Sequence, residues 1–172
     1  MNENRLNTRE LAEISILVAL AIVLNQIKIW QMPQGGSVTL ASMIPVMLLA
    51  YRRGVKVGII GGIVFGLVQM VIEGYVYYPI QIILDYPLAF ACLGISGFFK
   101  KFPPVGVVVA LVGRFLCHLV SGAVFFAEYA PPGQNPWFYS AIYNGGYIFV
   151  EMIISVTLIY FIWKKQPQLL NI

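Results

Sequence analysis

A chain of 172 residues that is 59% hydrophobic and 10% charged, with a mean hydropathy of +0.81, is too apolar for a soluble domain, where about a quarter of residues are charged. The length suits a single membrane domain over residues 1–172, without a linker, repeat or low-complexity tract. The net charge of +4 would suggest nucleic acid in a soluble protein, but the basic residues lie in loops between apolar segments, so topology explains them and no nucleic-acid partner is expected.

A helical span needs about 20 predominantly apolar residues. In chain order the candidates are 11–29; 38–51, short and containing Pro45; 55–72, rich in glycine at Gly58, Gly61, Gly62 and Gly66; 78–99; 105–127; and 136–163. They predict an all-α integral membrane protein of six transmembrane helices. The polar start "MNENRLNTRELAE" lacks secretory-signal character and no A-x-A site follows, so the first segment is expected to stay. Cys92 and Cys117 lie in apolar runs without CxxC spacing and read as small buried residues.

Arg5, Arg9, Arg52, Arg53, Lys56, Lys100, Lys101, Lys164 and Lys165 all fall on one side of this arrangement. By the positive-inside rule that side is cytoplasmic, and so are both termini. The opposite loops, "KIWQMPQGGSV", "EGYVYYP" and "EYAPPGQNPWFYS", are rich in aromatics, glycine and proline. An aromatic belt explains part of this; the scarcity of aromatics at the other ends suggests a pocket open to the outside.

Asp85, Arg114, His118 and Glu151 are ionisable groups inside spans. At the bilayer centre a charge costs about 2.5–3.5 kcal/mol on insertion scales, so such groups face protein or a water-filled cavity. Tyr78, Gln81 and Asp85 share one helical face, offering a phenol, an amide and a carboxylate. His118 is followed by Gly122, which leaves room for a flat guest, and by Phe125 and Phe126. Asn144 lies among Tyr139, Tyr143 and Tyr147, with Ser140 one turn away. The order of the spans puts Asp85, His118 and Asn144 at similar depth in the outer half, where a planar, nitrogen-rich cation finds an anion, acceptors and cation–π faces. Arg114 and Glu151 fall deeper, and are expected to pair as a floor beneath the site.

A hydrolase is the rival reading, since Ser121 lies three residues after His118, but no oxyanion hole is evident. A single histidine without a second ligand at helical spacing gives no metal site. The absence of G-x-x-x-x-G-K-[ST] excludes a P-loop ATPase. The chain is therefore expected not to be an enzyme and to need no cofactor.

Five stretches, "MPQGGSVTLASMIPV", "YRRGVKVGIIGG", "PIQIILDYPLAFACLGISG", "HLVSGAVFF" and "WFYSAIYNGGY", resemble in order the thiamine-specific S-component family of energy-coupling factor transporters, and the likeness runs from about residue 11 to 163. The resemblance implies a six-helix protein in the cell membrane of a prokaryote that binds thiamine from outside. It also implies a transmembrane coupling subunit and two cytoplasmic ATPases as partners. It assigns the pocket carboxylate to Asp85, followed by Tyr86, and the other ligand-binding positions to His118, Tyr139, Asn144, Tyr75 and Gln81. Asp85 stands where some members have Glu, and Phe126 where some have a stacking Trp. Gly36 and Leu40 replace a Trp and a carboxylate of the first loop, so Trp137 is a candidate substitute for the stacking ring. On the first helix, Ser15 and Ala19 match the family's small-residue contact with the coupling subunit. Without the family, such a pair reads as ordinary packing inside the molecule.

Overall fold

The computed structural model describes residues 7–170; Arg5, counted above among the basic flanks, lies outside the described residues. The chain runs α1 (Thr8–Gln26), β1 (Lys28–Gln31), β2 (Ser37–Thr39), α2 (Ile44–Arg53), α3 (Val55–Glu73), α4 (Pro79–Ile83), a π turn (Leu84–Leu88), α5 (Ala89–Ala91), a 3-10 segment (Cys92–Phe99), α6 (Pro103–Phe125), α7 (Pro136–Lys165) and a final 3-10 turn (Pro167–Leu170). A short 3-10 turn (Ala127–Tyr129) links α6 to α7. Among the described residues, four helical segments are long and apolar enough to cross a membrane: α3, the continuous rod Pro79–Phe99, α6 and α7.

The first two expected spans differ from that set for identifiable reasons. Asn7 and Glu10 form a reciprocal capping box at the start of α1, and Arg9, Glu10 and Glu13 lie in its first two turns. Its far end stops at Gln26, and residues expected to continue the helix become β1. The hairpin turns through Gly35, whose φ of 89° favours glycine, and β2 pairs antiparallel with β1. The second expected span is therefore part strand and part helix. Ten residues of α2 extend only about 15 Å, half the hydrocarbon thickness. Its apolar character has another cause: Ile44–Met47 and Leu49–Tyr51 are buried in protein.

Glycines set the closest helix contact. A Cβ on Gly62 would stand 2.2 Å from the Phe90 carbonyl oxygen, and one on Gly66 2.5 Å from that of Tyr86. Spaced four apart, they give α3 a smooth stripe on which the rod lies backbone to backbone. Pro87 sits inside the π turn. Proline has no N–H and its ring crowds the carbonyl one turn back, and the wider turn accommodates both.

The connections sort to two ends. The hairpin, the α3–α4 link and the α6–α7 link share one end. The α2–α3 link, the rod–α6 link and the tail share the other, together with Arg9, Arg52, Arg53, Lys56, Lys100, Lys101, Lys164 and Lys165. At that basic end Glu13 is paired with both Arg52 and Arg53, Arg52 also donates to the Leu169 carbonyl, and Tyr51 donates to the Pro103 carbonyl at 2.7 Å. The remaining core joins Phe65, Leu93, Leu111, Ile148 and Ile159.

Candidate functional site

A cavity of about 320 Å³ opens beside the hairpin. Its walls come from α1, α3, the π turn, α6, α7 and the hairpin loop. Asp85, in its wall, gathers three side-chain partners. Oδ1 lies 3.0 Å from His118 Nδ1, and Oδ2 accepts from Gln81 Nε2 at 2.7 Å and from Ser121 Oγ at 2.7 Å. Arg114 Nε in turn donates to His118 Nε2 at 3.3 Å. A guanidinium can only donate, so Nε2 is the acceptor and the imidazole proton sits on Nδ1, directed at Asp85. A cation and an anion are thus joined through one ring. Arg114 also lies 4.4 Å from the Phe90 ring centroid and reaches Met43 Sδ.

The sequence-predicted residues divide into groups. Asp85, Tyr86, His118, Asn144, Tyr139, Tyr75 and Phe126 all line the cavity. Gln81 does not. It is fully buried behind Asp85 and donates to both Asp85 and the Tyr75 carbonyl, so it positions the carboxylate and the loop. Trp137 is not in the lining either. It is 49% exposed at the start of α7, because its position next to the Asn135 cap turns it away from the stripe that Tyr139, Tyr143 and Tyr147 present. Tyr78, expected on the Asp85 face, instead caps α4 and packs on Phe125 at 5.5 Å. Gly122 lines the cavity as expected, while the direction its missing Cβ would take is filled by α7: a Cβ there would stand 2.3 Å from Ser140 Oγ.

Asn144 ties α7 to α6. Its Nδ2 donates to the Ser140 carbonyl at 3.0 Å and the His118 carbonyl at 3.3 Å, and its Oδ1 accepts from Tyr147 at 3.0 Å. Tyr143 reaches the hairpin, where its hydroxyl accepts from the Gln34 and Gly36 amides at 3.0 and 3.2 Å. Gly36 is needed there because a Cβ would stand 2.7 Å from the Tyr147 ring. Ser121, the rival nucleophile, is committed to Asp85 rather than to His118.

Arg114 and Glu151 do not form the expected ion pair: no nitrogen–oxygen contact within 4.0 Å joins them. Comparable depth on two helices does not fix the direction in which each side chain points. Arg114 turns toward the cavity, and Glu151 toward the hairpin, where Oε1 accepts from the Thr39 amide at 2.6 Å and its hydroxyl at 2.8 Å. Replacing Glu151 by Ala strands both buried donors and is expected to lower stability by about 1–3 kcal/mol, measurable as a fall in the thermal midpoint in detergent.

Sequence reasoning missed Asn25, Gln69, Glu73, Tyr129 and the Gln34–Gly36 backbone, all in the lining. Asn25 and Gln69 did carry a signal: each is an amide inside an apolar run, and both are buried.

The family model described as thiamine transporter protein (Thia_YuaJ) matches residues 11–171. The chain belongs to this thiamine transporter family. It is 39% identical to thiamine transporter ThiT of Bacillus subtilis, over 99% of this chain and 98% of the relative. It is 30% identical to thiamine transporter ThiT of Lacticaseibacillus paracasei, over 74% and 73%. A solved structure of ThiT from Listeria monocytogenes superposes with a TM-score of 0.84 at 27% identity, covering 95% of this chain and 99% of that one.

Proposed function

We propose that this chain is the thiamine-binding S-component of an energy-coupling factor importer, taking thiamine from outside and delivering it inward together with a transmembrane coupling subunit and two ATPases. The observation that carries the reading is the cavity itself: a carboxyl side chain held by three donors, ringed by Tyr86, Phe126, Tyr139, Tyr143 and Tyr147, in a chain of the thiamine transporter family. Asp85 offers the anion for the thiazolium and acceptors for the aminopyrimidine; His118, Tyr75, Tyr86, Tyr139, Asn144 and Phe126 surround the rings, and Gln81 braces Asp85. Calorimetry with purified protein and a panel of vitamins tests this. Saturable heat with thiamine alone is expected; heat with a different vitamin and none with thiamine would overturn it.

Residues 1–172 act in this reading as one membrane domain with six membrane helices, in the cell membrane of a bacterium, with both termini in the cytoplasm. Support comes from the gathering of basic residues at one end. It comes also from α1, whose Ile16, Leu20 and Val23 are exposed apolar side chains and whose Glu13 is neutralised by Arg52 and Arg53. The hairpin and α2 then share the thickness of one span.

Ser15 and Ala19 are exposed on α1, and packing inside the molecule does not account for them. They form the proposed contact with the coupling subunit. Ala19→Trp is expected to leave thiamine binding unchanged in calorimetry while abolishing thiamine uptake by cells; equal losses in both assays would remove the assignment.

A further inference from the structure

We infer that Asn25 and Gln69 form a second, uncharged subsite of the cavity that binds a hydroxyl group on the ligand; the inference rests on the thiamine reading above. The two amides line the wall built by α1 and α3, whereas Asp85, His118, Ser121 and Asn144 come from the π turn, α6 and α7. Gln69 is 4% exposed. Its Oε1 accepts from Asn25 Nδ2 at 2.8 Å, and its Nε2 has no protein partner. A buried polar group left unpaired is costly, and this one belongs to a residue in the cavity wall. The nearest ionised group on the same helix, Glu73 one turn further, is held by Lys28 at 2.8 Å.

What lies behind the amides decides the chemistry. Asn25 Oδ1 is 3.3 Å from Ser42 Oγ, Ser42 Oγ is 2.7 Å from Thr39 Oγ1, and Thr39 donates to Glu151. The carboxylate at the end fixes the direction of the chain. Thr39 gives its one hydroxyl proton to Glu151, so the contact to Ser42 uses the Ser42 proton, and Asn25 must turn its NH2 group to Ser42 and its oxygen to Gln69. Gln69 turned over in the same way donates to Asn25, and its carbonyl is the group left without a protein partner. A hydroxyl donates to that carbonyl and completes the chain. An alkyl group does not. Thiamine carries one such group, the hydroxyethyl tail of its thiazolium ring, at the end away from the aminopyrimidine that Asp85 would hold.

The test compares thiamine with the analogue bearing ethyl in place of hydroxyethyl, by calorimetry on wild-type protein and on Gln69→Met, which keeps length and removes both hydrogen-bonding atoms. Wild type is expected to favour thiamine by about five- to tenfold, the worth of one neutral hydrogen bond. Gln69→Met is expected to bring thiamine down to the level of the analogue while leaving the analogue's affinity unchanged. Equal affinities in wild type overturn the subsite without any variant, and so does a preference that survives in Gln69→Met. Wild-type protein that binds neither compound overturns the thiamine reading itself, a result distinct from equal binding of both.

Discussion

Asp85→Asn is expected to weaken thiamine binding by about ten- to a hundredfold, the worth of a charge-assisted hydrogen bond of about 1.5–3 kcal/mol. The side chain keeps its shape but loses its charge. It also brings an NH2 group to a position where Gln81, Ser121 and His118 all direct donors, so at least one donor loses its acceptor. Titration calorimetry reads the affinity and a melting curve reads the fold. An unchanged affinity in a folded variant would show that the carboxylate serves the protein rather than the ligand.

Gly66→Ala is expected to damage the site although Gly66 is not itself in the cavity lining. The new methyl would stand 2.5 Å from the Tyr86 carbonyl oxygen, and backbone cannot give way as a flexible side chain does. Overpacking of this kind costs about 1–3 kcal/mol. The displaced turn carries Asp85 and Tyr86, so affinity should fall together with the thermal midpoint. Gly146→Ala is the control, since a Cβ there meets nothing within 4 Å. Loss of stability with full retention of thiamine affinity would mean that the rod moves as a rigid body and the site follows it.

Apolar segments and basic flanks were legible because a membrane demands them residue by residue. The convergence of Asp85, His118 and Asn144 followed from counting depth along alternating helices, and the cavity brings the three together. Depth counting failed where direction mattered. Arg114 and Glu151 lie on different helices and turn toward different neighbours. Strand content was hidden because β1 and β2 are four and three residues long and merge with apolar runs on either side. Asn25 and Gln69 escaped notice because ionisable groups drew attention first, although a buried neutral amide in an apolar helix also demands a partner. Nothing in spacing alone gives the π turn; only Pro87 hints at it.

That turn works as a rotational offset in the rod. An α-helix advances about 100° per residue, and a π turn accommodates one residue more than regular winding would. Tightening Leu84–Leu88 into plain α-helix would therefore swing the segment before it, Pro79–Ile83 with Gln81 among it, by about that angle relative to the segment after it. Gln81 would part from Asp85, and the loop that it holds at Tyr75 would lose its anchor. Chain length across these few residues is thus a stricter constraint on the site than the identity of any single ring around it.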